Sequence, residues 1–118
     1  MTMDQDRKKV LTSVDEFVEA CAQFRKTLSA VSTSNRRART LVEKGRPVRE
    51  VLAAIPTGAI RKTMTQQIEE LEAARHNVRL AVFTLGLDEG LSIGELGRTM
   101  GFSRQLASIY AKEARGDT

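Results

Sequence analysis

LSIGELGRTMGFSRQLASIYAKEAR, residues 91–115, is the stretch whose reading decides the fold. It spells two short helices joined by a tight turn. Ser92 stands where a helix N-cap belongs, and Glu95 three residues later completes a capping-box pattern, in which two side chains satisfy free backbone N–H groups. Leu91 before the cap and Leu96 inside match a hydrophobic staple. Ile93, Leu96 and Met100 recur at helical spacing. Gly101 stops the helix, because glycine enters the positive-φ conformation of a C-terminal cap at no steric cost. Phe102 follows as an apolar plug, and Ser103 can cap the next helix. That helix, residues 103–115, turns Leu106, Ala107, Ile109 and Tyr110 partly inward and Arg104, Gln105, Ser108 and Lys112 more outward.

On these residues, IGELGRTMGFSRQLASIY resembles the bacterial helix-turn-helix found in sigma-factor region 4 and in homeodomain-like repressors. Leu96 matches the inward residue of the first helix and Gly97 the small residue where the two helices touch. Met100, Gly101 and Phe102 match the apolar–glycine–apolar turn. Ser103, Arg104 and Gln105 open the recognition helix. The likeness covers about 25 residues and departs from the pattern twice. Ala107 stands where such families usually carry Val or Ile. Gly97 replaces the commoner Ala, at about 1 kcal/mol of helix propensity.

The resemblance implies a recognition helix in the major groove of double-stranded DNA, with the preceding helix held against the phosphate backbone. Arg104 and Gln105 would reach base edges, arginine suiting guanine and glutamine suiting adenine. Ser103 and Ser108 could meet phosphates or bases, and Lys112 and Arg98 phosphates. A third helix must close such a core, and the apolar residues 78–85 supply one. The expected core is Val82, Leu85, Ile93, Leu96, Met100, Phe102, Leu106 and Tyr110.

Working outward, residues 59–85 read as a long helix with a stripe of Ile60, Met64, Ile68, Leu71, Val78, Val82 and Leu85, interrupted by Arg75. Gly86 reads as its left-handed cap, and Asp88, Glu89 and Gly90 as the turn beyond. Pro56, Thr57 and Gly58 read as a break. Before them, residues 47–55 form a short amphipathic helix with Val48, Val51, Leu52 and Ile55 on one side. Pro47 suits a first turn, and Gly45 ends the helix before it.

That earlier helix follows a frayed start at residues 1–5 and extends to about residue 43. Val10, Val14, Phe17, Cys21, Phe24, Leu28 and Val31 alternate spacings of four and three, and the register continues through Asn35, Ala38 and Val42. A helix of about 38 residues would be about 57 Å long. It would project or pair with a second chain. Ser32, Thr33, Ser34 and Asn35 are the weak point, since such side chains compete for backbone bonds. One long helix, straight or bent, is the favoured reading, and a break with Ser34 or Asn35 as a new cap is the other. Asn35 fits a register-setting buried residue or, more simply, a cap or a solvated side chain. Arg36, Arg37 and Arg39 form the densest basic cluster, which is either a set of phosphate contacts or a solvated face.

The fold expected is therefore all-α. A long N-terminal helix, coiled-coil-like or in a helical hairpin, precedes a C-terminal three-helix helix-turn-helix unit. The division expected is a dimerisation region at 1–58 and a DNA-binding domain at 59–118. Composition agrees with this and narrows the function. The chain has 118 residues, 41% hydrophobic, with no Trp, two Pro and a formal charge of +4. That suits an anionic partner. Cys21 is the only cysteine, so no intrachain disulfide forms and a reducing cytoplasm is the expected setting. The opening residues lack a signal-like apolar run, and no stretch approaches a membrane span. His76, the only histidine, has no ligand set around it in sequence, so no metal or cofactor is expected, and it reads as exposed. No phosphate-cradling glycine loop, nucleophile elbow or histidine–carboxylate constellation is present, which argues against an enzyme. The expectation is a homodimeric, sequence-specific DNA-binding regulator of the cytoplasmic nucleoid. The alternatives are a helical protein–protein adaptor and a nucleoid binder with little sequence preference.

Overall fold

The computed structural model describes residues 2–116. Among them the elements are α1 (Met3–Glu43), α2 (Val48–Ala54), α3 (Thr57–Asp88), α4 (Ile93–Met100) and α5 (Arg104–Ala114), with no strand. Two compact units result. One joins Met1–Val18 to Ala73–Thr118, and the other is Glu19–Glu72. This grouping follows compactness, whereas the sequence expectation of 1–58 and 59–118 followed chain order and role.

α1 begins earlier than a frayed terminus would allow. The Thr2 hydroxyl accepts the Gln5 N–H at 3.2 Å, and the Thr2 N–H donates to Gln5 Oε1 at 3.0 Å. This reciprocal cap satisfies two donors that a helix start leaves open. The helix also runs unbroken through Ser32–Asn35, because its polar side chains bond back into their own helix. Thr33 Oγ1 donates to the Ser29 carbonyl, Asn35 Nδ2 to that of Val31 and Thr40 Oγ1 to that of Arg36. Asn35 is exposed, and its side chain bonds back into α1.

α2 buries only Val51 and Ile55 of its apolar side, while Val48 and Leu52 are exposed. Thr57 and Gly58, read as a break, are the first residues of α3. Pro56 stands before them, and its carbonyl accepts the Ile60 N–H. In the Glu19–Glu72 unit, α1, α2 and α3 face one another across an open groove of about 430 Å³, bordered by Val31, Ala38, Val51, Ile55, Ile60 and Met64.

The core of the first unit is Phe83, Leu96, Ala107, Tyr110 and Ala111, flanked by Leu80, Leu87, Ile93, Met100, Phe102 and Leu106. Phe83 has no exposed surface. Here the expected register of α3 is corrected. The inward stripe is Leu80, Phe83 and Leu87, at spacings of three and four, while Val82 and Leu85 lie outside that cluster. Gly86 is not the cap. α3 continues two residues past it, and a Cβ at Gly86 would stand 2.6 Å from Leu96 Cδ2. Glycine is there so that α4 can approach. Gly90, at φ +95°, is the left-handed residue, and Gly90 and Leu91 return their N–H groups to the Leu87 and Gly86 carbonyls.

One polar group sits in this unit without compensation. Asp6 is 1% exposed, and among the described residues neither of its carboxylate oxygens has a hydrogen-bond partner. The first turn of a helix favours an anion by about 0.3–1 kcal/mol, less than the roughly 1–3 kcal/mol that an unsatisfied buried polar group costs. Asp6→Leu is therefore expected to stabilise the fold by about 1–2 kcal/mol. A urea titration checks this, and a lowered midpoint would mean that the carboxylate holds a bond in solution.

Candidate nucleic-acid interface

The helix-turn-helix assembles from local chemistry first. Ser92 Oγ accepts the Glu95 N–H and Ser103 Oγ accepts the Leu106 N–H, each at 3.1 Å. Both serines hold extended backbone and so cap α4 and α5 as the sequence predicts. Gly101, at φ +74°, returns its N–H to the Arg98 carbonyl, and the Phe102 N–H bonds the Gly97 carbonyl at 2.7 Å. These two bonds make the turn a Schellman motif, which satisfies the last α4 carbonyls and sets the angle at which α5 departs. The predicted staple is not formed in full, since Leu91 is 44% exposed.

α4 and α5 then meet at Gly97 and Ala107. A Cβ on Gly97 would fall 2.9 Å from the Ala107 Cβ, closer than two carbons normally approach. Ala107, which the resemblance flagged as small, is 3% exposed. The two small residues thus complement each other, and one methyl fills the contact.

Tyr110 anchors the inner face of α5. Its ring stacks on Phe102 at 4.8 Å between centroids and lies 6.0 Å from Phe83. The Arg79 guanidinium sits over the other aromatic partner, 5.6 Å from the Phe102 centroid. The Tyr110 hydroxyl is 3.0 Å from His76 Nδ1, and His76 Nε2 is 3.0 Å from Glu113 Oε2. A carboxylate only accepts, so in the neutral ring Nε2 carries the proton and Nδ1 accepts from Tyr110. His76, expected to be exposed, is half-buried and ties α3 to two residues of α5. Its partners lie 34 and 37 residues away, so nothing beside it in sequence discloses the contact.

With the inner face so fixed, the outer face of α5 carries Arg104, Gln105, Ser108 and Lys112, all exposed. Ser103 and Arg98 are exposed beside them. Ile109, expected to turn partly inward, is 46% exposed and shares this outer face. Arg104 and Gln105 occupy the first turn of α5, and Lys112 the last. The arrangement offers one cation and one amide at the leading end of a short helix, hydroxyls at its cap and middle, and a second cation one face-length away. Arg36, Arg37 and Arg39 belong to the other unit. All three are exposed, and Arg39 pairs with Glu43 one turn on.

Among the described residues no set of three His, Cys, Asp or Glu side chains is placed to hold a metal ion. No helix there is long and apolar enough to cross a membrane. The chain matches no protein-family model, no curated protein and no solved structure.

Proposed function

We propose that the chain is a sequence-specific DNA-binding regulator of transcription that acts as a homodimer and places α5 in the major groove. The observation that carries this reading is the α4–turn–α5 unit. Its caps, turn and Gly97–Ala107 contact fix the pose of α5, and the face left outward bears Arg104, Gln105, Ser108 and Lys112. Arginine and glutamine can each form a bidentate pair with a purine, which is how a helix in the groove reads sequence. Lys112, Arg98 and the hydroxyls would set register through phosphates.

A single such unit makes a small interface, roughly 600–1,000 Å², and two half-sites are the usual route to useful specificity. Leu11, Val14 and Val18 on α1 leave apolar surface exposed at spacings of three and four, a face that a second copy could cover. Solution mass tests the dimer.

Unbiased selection of duplexes by the intact protein tests the reading as a whole, and enrichment of a two-fold-related motif is the expected result. On the selected duplex, Arg104→Ala should weaken binding by about 1–3 kcal/mol and relax preference at one base pair. An unchanged titration would remove Arg104 as a base reader.

A further inference from the structure

The charge of this chain is not where the helix-turn-helix is. Residues 20–68 hold ten of the lysines and arginines against two glutamates; with Glu19, Glu69, Glu70 and Glu72 at its ends the Glu19–Glu72 unit is net +4, which is the whole formal charge of the chain. No acidic residue occurs between Glu19 and Glu43, nor between Glu50 and Glu69. The two glutamates in the segment are already engaged, Glu43 with Arg39 and Glu50 with Arg46, each one helical turn apart. The remaining cations, Arg25, Lys26, Arg36, Arg37, Lys44, Arg49, Arg61 and Lys62, are all exposed.

A helix face that serves only solubility alternates signs, because like charges at neighbouring positions repel and opposite ones one turn apart attract. Over residues 20–68 cations are instead in excess, with Arg36 and Arg37 adjacent on α1 and Arg61 and Lys62 adjacent on α3, and the unit's other carboxylates lie at its two sequence ends. Seven of its ten cations are arginine, whose planar fork pairs bidentately with phosphate. Between them on α1 stand short hydroxyl side chains, Ser29, Ser32, Thr33 and Thr40, all exposed, which let a partner come close to the helix.

We propose that the Glu19–Glu72 unit is a second, sequence-independent binding surface for the phosphodiester backbone of duplex DNA, built on Arg36, Arg37, Arg49, Arg61 and Lys62. The composition selects among polyanions. There is no aromatic residue between Phe24 and Phe83. Single-stranded nucleic acid is held by stacking bases on aromatic rings, and this surface offers none. A helix that lies in a lipid interface buries an aromatic and leucine-rich face beneath its cations, whereas the exposed large apolar residues of this unit, Leu28, Val42, Val48, Leu52 and Ile68, are spread over three helices and include no aromatic ring. A regular duplex backbone requires only cations and short polar side chains. The surface stands independently of the reading of α5, and it assigns to this unit the larger share of the salt dependence, beside any phosphate contacts of Arg98 and Lys112.

The test uses the full chain and a labelled 20-base-pair duplex of random sequence, followed by fluorescence anisotropy from about 50 to 200 mM salt. The variant Arg36→Gln, Arg37→Gln, Arg49→Gln, Arg61→Gln, Lys62→Gln should bind at least 100-fold more weakly at low salt. Its log–log salt slope should be shallower by about four, since each phosphate neutralised contributes about 0.9. The same five positions as lysine should keep the slope, which separates lost charge from lost folding. Lys8→Gln with Lys9→Gln, two exposed cations of the other unit, should leave random-duplex affinity within about threefold. Parental affinity in the glutamine variant overturns the proposal, as does tighter binding to phosphatidylserine vesicles, single strands or duplex RNA. A selection that enriches no sequence would instead sink the reading of α5 and leave this surface standing.

Discussion

Phe83→Ala is expected to cost about 3–5 kcal/mol, a large share of the roughly 5–15 kcal/mol that is the whole stability of a typical domain. Phe83 is the largest fully buried apolar side chain, and it is packed with Leu96, Ala107, Tyr110 and Ala111. It is therefore shared by α3, α4 and α5. Truncation removes the transfer free energy of a ring and leaves a cavity, which the packed helices can close only by giving up their crossing geometry. Tyr110 would lose one of its three ring neighbours, and the helix that carries Arg104 would lose its floor. Urea unfolding read by circular dichroism measures the loss. A change under about 1 kcal/mol would mean that the site collapses around the smaller side chain and that Phe83 does not organise this core. Val82→Ala is the comparison. Val82 is half-buried and outside the cluster, so its truncation should cost clearly less.

Gly97→Val should be nearly as damaging, for the opposite reason. A single added methyl already falls 2.9 Å from Ala107 Cβ, and valine adds two further carbons at the same contact. Glycine to a β-branched residue recovers a few tenths of a kcal/mol of helix propensity. Overpacking of a tight contact costs about 1–3 kcal/mol, and here the upper end applies because both helices present backbone or Cβ atoms, not a flexible side-chain tip. The expected net loss is about 2–3 kcal/mol, with α5 displaced from α4, and urea unfolding measures it. The exchange Gly97→Ala with Ala107→Gly moves one methyl from α5 to α4. It should restore most of the stability that Gly97→Ala alone removes. Failure of that exchange to rescue would show that the strain lies elsewhere than in the helix–helix contact.

The parts of this fold that are readable from the chain are those settled by neighbours in sequence. Ser92, Gly101 and Ser103 act on backbone groups within three or four residues, so their capping chemistry is the same in an isolated peptide as in the protein. Gly97 and Ala107 are likewise legible as small residues on facing turns.

What escaped is what the third dimension decides. Residues 78–87 are apolar at all but Arg79 and Thr84, so Val78, Val82 and Leu85 make as good a stripe as Leu80, Phe83 and Leu87. The choice falls to the second set because Gly86 lets Leu96 press against α3 on that side. The same contact explains why Gly86 resembled a terminator in sequence and proves to be a clearance. Thr57 and Gly58 follow a proline and look like a break, yet a proline also precedes a helix well, and α3 starts there. His76 sits between Arg75 and Asn77, and nothing local distinguishes it from a solvated side chain. The outward residues of α5 fall as the periodicity predicts, and Ile109 joins them because Ala107, Tyr110 and Ala111 already fill the inward arc.

The chain contains no tryptophan and one tyrosine, and that tyrosine is wedged between Phe102 and His76 in the helix-turn-helix unit. Its ultraviolet emission is thus a reporter built into one unit, while the far-ultraviolet ellipticity sums over every helix. Recorded side by side in one melt, the two signals show whether the chain comes apart as a single cooperative body or in stages. No label has to be added to learn it.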